Sequence, residues 1–421
     1  MNTLTKWDVR YEWKIVLLLS IGFGLVGLDR WIIAPLFPFI MHDLGLTYGQ
    51  AGILVGILAV AWGIVSIPMG RLSDRVGTRA VLIPSLLLFS VLAGFSGAAT
   101  GFASLLVVRL MIGVTEGAFS PACFACTTDA SKPSRRGLNL GLTASLYALL
   151  GFGVAPILAT QLLRVVPSWR YVFLLVSVPG LVLSIFLFFL LRKKESPIVP
   201  TLELHKSLHW REVIGSKNIK VAMCGVLCAM CCNFVIGAML PSYLIDYLKM
   251  KPDQMGFVLS AVGIGGFFGE FCVPGLSDFI GRKVTSVCVF ALGAVFLRWF
   301  ESVGLEPVML FCLLFVIGFC CMGLTIMFVG PIATEAVSPV LLATAIGAVS
   351  GAGEVFGGGI APAIGGWVAQ TYGIQHVLDW ALLGLVAGIP VSLLLRETAP
   401  RRLAAAARRN PELKAASVDP G

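Results

Sequence analysis

The chain has 421 residues, of which 57% are hydrophobic and only 13% charged, and its mean hydropathy is +0.92. A soluble domain carries about 25% charged residues, so the chain reads as a polytopic membrane protein. A formal net charge of +9 would suit nucleic acid, but the basic residues gather in short loops between apolar runs, which is a topology signal.

The first fourteen residues are polar and mixed in charge, and the apolar run after them continues without a small-residue cleavage site, so no removable signal peptide is read. That run, 14–39, is long enough to cross a bilayer and carries Gly27-Leu28-Asp29-Arg30-Trp31 near its middle. A charge at that depth costs at least about 2.5–3.5 kcal/mol on insertion scales, so an acid and a base side by side need a partner, a wet cavity or a task. Further runs lie at 50–69, 79–98, 102–126, 139–163, 171–191, 219–245, 255–274, 284–304, 307–328, 341–369 and 376–395, twelve in all. With the N-terminus inside, Lys and Arg number 24 on the inner side against four on the outer, Arg164, Arg170, Lys249 and Lys251. The bias orients both termini toward the cytoplasm.

The chain repeats. Leu72-Ser73-Asp74 with Gly77 and Arg79 recurs as Leu276-Ser277-Asp278 with Gly281 and Lys283, displaced by 204 residues. Asp129-Ala130 recurs as Glu335-Ala336 and Ala155-Pro156 as Ala361-Pro362, displaced by 206. The expected architecture is an all-α membrane protein of twelve transmembrane helices in two parallel six-helix halves, 1–191 and 219–396, joined by a cytoplasmic linker, 192–218, and followed by a cytoplasmic tail, 397–421. Parallel halves can rock around a site near the midplane.

These features resemble the major facilitator superfamily over nearly the whole chain. Gly70-Arg71-Leu72-Ser73-Asp74-Arg75-Val76-Gly77-Thr78-Arg79 matches that superfamily's loop after the second span. Glycines there permit a tight turn, and Asp74 can cap a helix end and pair with an arginine. Gly70, Asp74, Arg75, Gly77, Arg79, Asp278 and Gly281 are therefore read as a conformational latch. Within the superfamily, Leu28-Asp29-Arg30, Arg109-Leu110-Met111-Ile112-Gly113-Val114-Thr115-Glu116-Gly117 with Pro121, Leu240-Pro241-Ser242-Tyr243-Leu244, and Trp169-Arg170-Tyr171-Val172-Phe173 resemble the anion:cation symporter family. The chain departs from that pattern at Gly27, Ile32-Ile33 and Arg135-Arg136, where a tyrosine, a polar pair and Glu-Arg are usual. The first two departures argue against a polyhydroxylated substrate.

Arg109 and Glu116 are seven residues apart, so on a helix they share a face about 10 Å from one another. Arg30 and Arg109 fall at similar depth, and against Asp29 and Glu116 their charges cancel. Protonating either acid would free positive charge for a carboxylate held in bidentate geometry, so anion and proton would bind cooperatively. In the family this resembles, matching acids are linked to protons and matching arginines to the anion. Asp29, Glu116 and Glu354 are the expected proton carriers, with Glu354 alternatively a substrate contact or a buried interhelical hydrogen-bonder. Arg30, Arg109, Asn233, Tyr243 and Ser350 are the expected substrate contacts, Asn233 as the repeat counterpart of Asp29; Tyr243 could instead anchor at the outer interface. Glu270, beside the repeated turn, is read as a gating residue. Arg298 and Glu301 form an expected local ion pair. Cys224, Cys228, Cys231 and Cys232 share a helical face and are read as packing, not as a metal site. No cofactor or metal is expected, the proton being the coupling ion.

No nucleophile–base or metal-ligand constellation suggests an enzyme. The expected function is proton-coupled uptake of a small organic carboxylate with an apolar or aromatic body, by alternating access, with a proton-driven exporter of amphiphilic compounds as the alternative. The glycine–proline pattern that marks such exporters in the fifth span is present only as Gly151, Gly153 and Pro156. Short loops and the absence of Asn-x-Ser/Thr point to a bacterial plasma membrane. Its partners are the anion, protons and lipid, not nucleic acid, and it is expected to work as a monomer.

Overall fold

The computed structural model describes residues 8–132, 135–191, 210–338, 341–399 and 402. Among them the regular elements are all helices. Eleven are long and apolar enough to cross a membrane: α1 (Val9–Leu44), α2 (Tyr48–Ser73, continuing as helix to Val76), α3 (Thr78–Ala98), α4 (Phe102–Ala130), α5 (Arg136–Val165), α6 (Trp169–Leu190), α7 (Lys217–Tyr247), α8 (Pro252–Ile280), α9 (Arg282–Ser302), α10 (Pro307–Glu335) and α12 (Ile374–Leu393). The remaining span, α11, runs without a break through Leu342–Ala352, a π-helical stretch Gly353–Ile360, and Ala361–Tyr372. The result is the expected two sets of six helices. The N- and C-terminal ends lie on one face, here the termini face, with the turns after α1, α3 and α5 on the far face. A short helix, Trp210–Gly215, precedes α7, so the segment expected to be linker ends in a helical turn. The expectations for the tail beyond 402 and for most of the linker lie outside the described residues.

Helices α1 and α7 hold the centre, each with 83% of its most apolar stretch buried inside the protein, against 39% for α12. Prolines shape the rods where the site will form. Pro35 cannot supply the N–H that the carbonyl of Trp31 would receive, and α1 is interrupted at Ile32, directly after Asp29-Arg30-Trp31. Pro156 and Pro362, related by the repeat, follow π-helical stretches at Leu149–Val154 in α5 and Gly353–Ile360 in α11.

Those two stretches meet the opposite half along matching seams. A Cβ on Gly56 of α2 would stand 2.3 Å from the carbonyl oxygen of Gly359 on α11, and one on Gly263 of α8 would stand 2.0 Å from the nitrogen of Gly153 on α5. Only glycine permits such backbone approach. Nearer the far face the seams stay closed through Gly52 against Pro362, Gly366 against Tyr48, and Gly256 against Thr160. They are reinforced across the halves by Tyr48 donating to Asp246 at 2.8 Å and by an Arg164–Asp253 ion pair. Toward the termini face α11 keeps one side packed, with Ala345 and Val349 buried, and leaves another open: Gly347 and Gly351 have open space where a Cβ would lie. Both seams are closed on the far face; toward the termini face α5 still meets α8, a Cβ on Gly141 lying 3.5 Å from Phe271, while α11 has open space at Gly347 and Gly351.

The repeated turns tie helices within each half. Gly77 and Gly281 both take positive φ, 92° and 108°, which a side chain would strain. Arg79 donates to the carbonyls of Phe188 and Leu191, fastening α3 to the end of α6, at 2.5 and 2.9 Å. In the second half Arg282 grips Glu335 with two donors, at 2.7 and 3.2 Å, and Asp278 at 2.6 Å. Glu397 accepts from the backbone N–H of Arg282 at 2.8 Å, capping α9. Gly70 packs against Pro121 of α4, and Arg75 is exposed. The side chain of Asp74 lies outside the described part of the chain.

Candidate functional site

Near the centre, Arg30 of α1 crosses to the other half. Its Nη2 donates to Oε2 of Glu354 on α11 at 2.8 Å. The guanidinium carbon lies 4.5 Å from the ring centre of Trp62, 4.9 Å from Phe234 and 6.0 Å from Trp31, so aromatic faces hold the cation. Its Nε and Nη1 have no hydrogen-bond partner. Arg30 is thus paired with Glu354 and not with its neighbour Asp29. Neighbours in sequence on a helix point about 100° apart, and Glu354 approaches from the side that Asp29 cannot reach.

Arg109 is fully buried, and its Nη1 donates to the carbonyls of Asp29 and Arg30 at 3.4 and 3.2 Å. These carbonyls close the first segment of α1, where the helix dipole favours a cation. Arg109 thus clamps α4 to α1 just before the break, and its Nε and Nη2 remain without hydrogen bonds. Glu116 is 0% exposed with neither oxygen hydrogen-bonded, and Oδ1 of Asp29 is likewise unpartnered. Gly117 lets α4 close on the backbone of Trp62, which sets Glu116 beside the arginines.

Asn233 is buried on α7 beside Phe234, its Oδ1 unpartnered. Ser350, half-buried, lies one turn before Glu354 on α11. Tyr243 stands ten residues from Asn233, about 15 Å along the helix, and is buried against Tyr247 and Phe300, with ring centres 5.2 and 6.5 Å away. It is packed at the far end of the bundle, and the charged cluster is built without it. Glu270 is half-buried on α8 with Oε2 unpartnered. Arg298 and Glu301 form the expected ion pair. Cys228, Cys231 and Cys232 are buried and Cys224 is exposed; no group of metal-ligating residues occurs among the described residues.

Sequence reading missed the aromatic wall. Tyr147 of α5 accepts a hydrogen bond from Nε1 of Trp31 at 3.1 Å and packs with Phe23 and Trp62, ring centres 5.4 and 6.0 Å away. Phe124 adds its edge to Phe23 at 4.9 Å. Trp31 lies 4.1 Å from Phe152 and 5.2 Å from Phe234, plugging the space between α1, α5 and α7 toward the far face. The signal was available: Trp and Tyr belong at span ends in lipid-facing helices, and Trp62 and Tyr147 lie well inside theirs. Asp43 was also missed; it accepts from Trp169 at 3.1 Å and pairs with Arg170, explaining that dipeptide as a far-face tie between the end of α1 and the start of α6.

The family model described as Major Facilitator Superfamily matches residues 19–355 and 226–419. The chain belongs to this superfamily. A hexuronate transporter of Bacillus subtilis is 25% identical over 280 residues, covering 64% of this chain and 65% of that protein. A protein named probable 4-methylmuconolactone transporter of Cupriavidus pinatubonensis is 24% identical over 390 residues, 90% of this chain and 89% of its own. The crystal structure of a bacterial homologue of the human lysosomal transporter Spinster, inward-facing and unoccupied, superposes with a TM-score of 0.75 at 16% identity, covering 92% of this chain and 97% of that one, which is a likeness of fold. The chain is a multi-pass membrane transporter, not an enzyme.

Proposed function

We propose that the protein couples protons to the uptake of a small organic carboxylate with a planar, apolar or aromatic body. The observation that carries this reading is Arg30: a buried guanidinium already holding one carboxylate, with two donors unused and aromatic faces on its flanks. Such a group takes a carboxylate in bidentate geometry, and the rings of Phe23, Trp62, Tyr147 and Phe234 suit a flat body beside it. Relatives named for a hexuronate and a methylmuconolactone support an organic acid; the apolar wall favours the second kind.

Glu116 and Asp29 are the proton carriers in this reading. A buried carboxylate lacking hydrogen bonds is costly when charged, whereas a protonated one is tolerated, so substrate charge on Arg30 and protons on these acids arrive together. Arg109 keeps α1 in place and lends positive potential. In this reading, which the loop charge supports, the termini face the cytoplasm and the open space beside α11 lies on that side. Metal and cofactor have no part in the cycle.

Proteoliposomes with an imposed inward proton gradient test this with radiolabelled 3,4-dihydroxybenzoate, lactate and galactonate. Accumulation of one acid, lost in Arg30→Ala, supports the reading. Extrusion of hydrophobic dyes with no accumulation of any acid would favour the exporter.

A further inference from the structure

The carboxylate on Arg30 comes from the wrong place for a static ion pair. Asp29 is adjacent in sequence and Glu116 faces the guanidinium from α4, yet Arg30 reaches over the boundary between the halves to Glu354 on α11, an acid in a π-helical stretch of loosened backbone. The contact uses Nη2, which belongs to both two-pronged edges of a guanidinium, so a carboxylate can grip Arg30 through two nitrogens only by displacing Glu354, while Nε and Nη1 stand without partners. Glu354 is also the more accessible partner, its side chain 16% exposed against 2% for Arg30. It lies one turn beyond the open space at Gly351.

We propose that Glu354 is an internal counter-ion, a built-in stand-in for the substrate carboxylate, which occupies Arg30 in the empty carrier and is displaced when substrate binds. This rests on the transport reading above. In the loaded carrier the substrate fills Arg30, and Glu354 takes a proton, because two carboxylates against one buried guanidinium leave a charge uncompensated. No covalent bond changes; one proton moves onto Glu354 as the substrate binds and leaves when the ion pair re-forms. The groups that face the pair are Glu116 and Arg109 on α4 and Tyr147 on α5, with Asp29 turned toward Glu116 and Arg109, while α2 and α7 present Trp62 and Phe234, which do not titrate. With Glu354 in place, Arg30 never crosses the cycle unpaired, so the empty carrier can return.

The two legs of the cycle separate the roles. In proteoliposomes loaded with whichever of 3,4-dihydroxybenzoate, lactate and galactonate the wild-type protein accumulates, Glu354→Gln is expected to exchange internal for external acid within about twofold of wild type. Net gradient-driven accumulation, which needs the empty return, is expected to fall at least 20-fold. Glu354→Asp, which keeps the charge, should recover part of it. On the unaltered protein, a carbodiimide that attacks protonated buried carboxyls should modify Glu354 at least threefold more when the acid is present, read by peptide mass spectrometry. Undiminished net accumulation in Glu354→Gln, loss of exchange and accumulation together in a variant of wild-type melting temperature, or carbodiimide labelling unchanged by the acid would each overturn the counter-ion. A wild-type protein that neither exchanges nor accumulates any of the three acids contradicts the transport reading itself, and the counter-ion with it.

Discussion

The two halves share a scaffold and divide the chemistry. Gly113 packs on Leu58 as Gly318 packs on Val262, so α4 and α10 correspond at a displacement of 205 residues, one that falls between those of the loops. At that spacing Arg109 answers to Leu314 and Glu116 to Cys321, while at the displacement of 204 seen in the first repeated turn Asp29 and Arg30 answer to Asn233 and Phe234. The second half has therefore traded every central charge of the first for a neutral side chain, and it adds acids of its own, Glu354 where the first has Ala148 and Glu270 where the first has Ser66. Phe234, the counterpart of Arg30, is one of the rings that lies against it. Glycines and prolines repeat because backbone approach and missing N–H groups build the seams. The charges do not repeat: the arginines, Arg30 and Arg109, both lie in the first half, and a further buried cation in the second would need a carboxylate of its own.

The latches invert this division. On the termini face the first half buries Glu12, which accepts from the Lys132 N–H and Asn139 Nδ2 at 3.2 Å each and lies 3.7 Å from Arg135. Its counterpart, Ser216, donates to the carbonyl of Ala336 at 3.3 Å, and nearby Asn218 exchanges hydrogen bonds with the backbone of Arg396. The second half's ionic latch is Arg282, whose counterpart is Thr78. Each half has one buried ion at its base, on a different helix.

The largest expected effect falls on the central charge. Arg30→Ala should weaken acid binding at least 100-fold, measured by scintillation proximity on purified protein, and Arg30→Lys should restore little of it, since an ammonium offers neither the fork nor the planar face. If the division of labour is right, Phe234→Leu should cost less, about 3–10-fold, through the lost ring face. Next come the seams. Gly56→Val and Gly263→Val place side-chain atoms into opposing backbone on corresponding helices, and both should raise hydrogen exchange at the far-face ends of α2 and α8 while slowing transport at least tenfold; an effect at one seam alone would break the symmetry argued here. Third are the latches. Removing Arg282 strands Glu335 and Asp278, so Arg282→Ala should lower stability by about 2–4 kcal/mol, seen as a lower melting temperature in detergent. Glu12→Gln, which keeps an acceptor for Asn139, should cost about 1 kcal/mol. Smallest is Asp246→Asn, which weakens the far-face bond from Tyr48 and should change stability by less than about 1 kcal/mol while increasing far-face exchange.

Sequence alone carried the architecture well, because spans are long apolar runs and the repeat is punctuated by residues with strict backbone roles. It also found Asp29, Arg30, Arg109, Glu116 and Glu354, since a charge inside a span is conspicuous. What it could not supply was pairing. Whether Arg30 meets Asp29 or Glu354 depends on how α11 approaches α1 across the halves, and that is decided by Gly56, Gly63 and Gly359 letting α2 and α11 close together. The aromatic wall escaped for the same reason: Tyr147 reads as one apolar residue among many until the backbone of Gly27, bare of a side chain, is seen to make room for it. Tyr243 shows the opposite case, a motif residue with two readings open in the sequence, which lies packed at the far end of the bundle, as the interface-anchor alternative has it.

The central claim is that the anion and the proton travel together. Simultaneous recording of radiolabel uptake and internal pH in proteoliposomes with no imposed gradient, after adding the accumulated acid outside, tests it most directly. The account predicts internal acidification that tracks uptake of the acid in time and amount and is absent in Arg30→Ala. Uptake with no change in internal pH, or with alkalinisation, would contradict it.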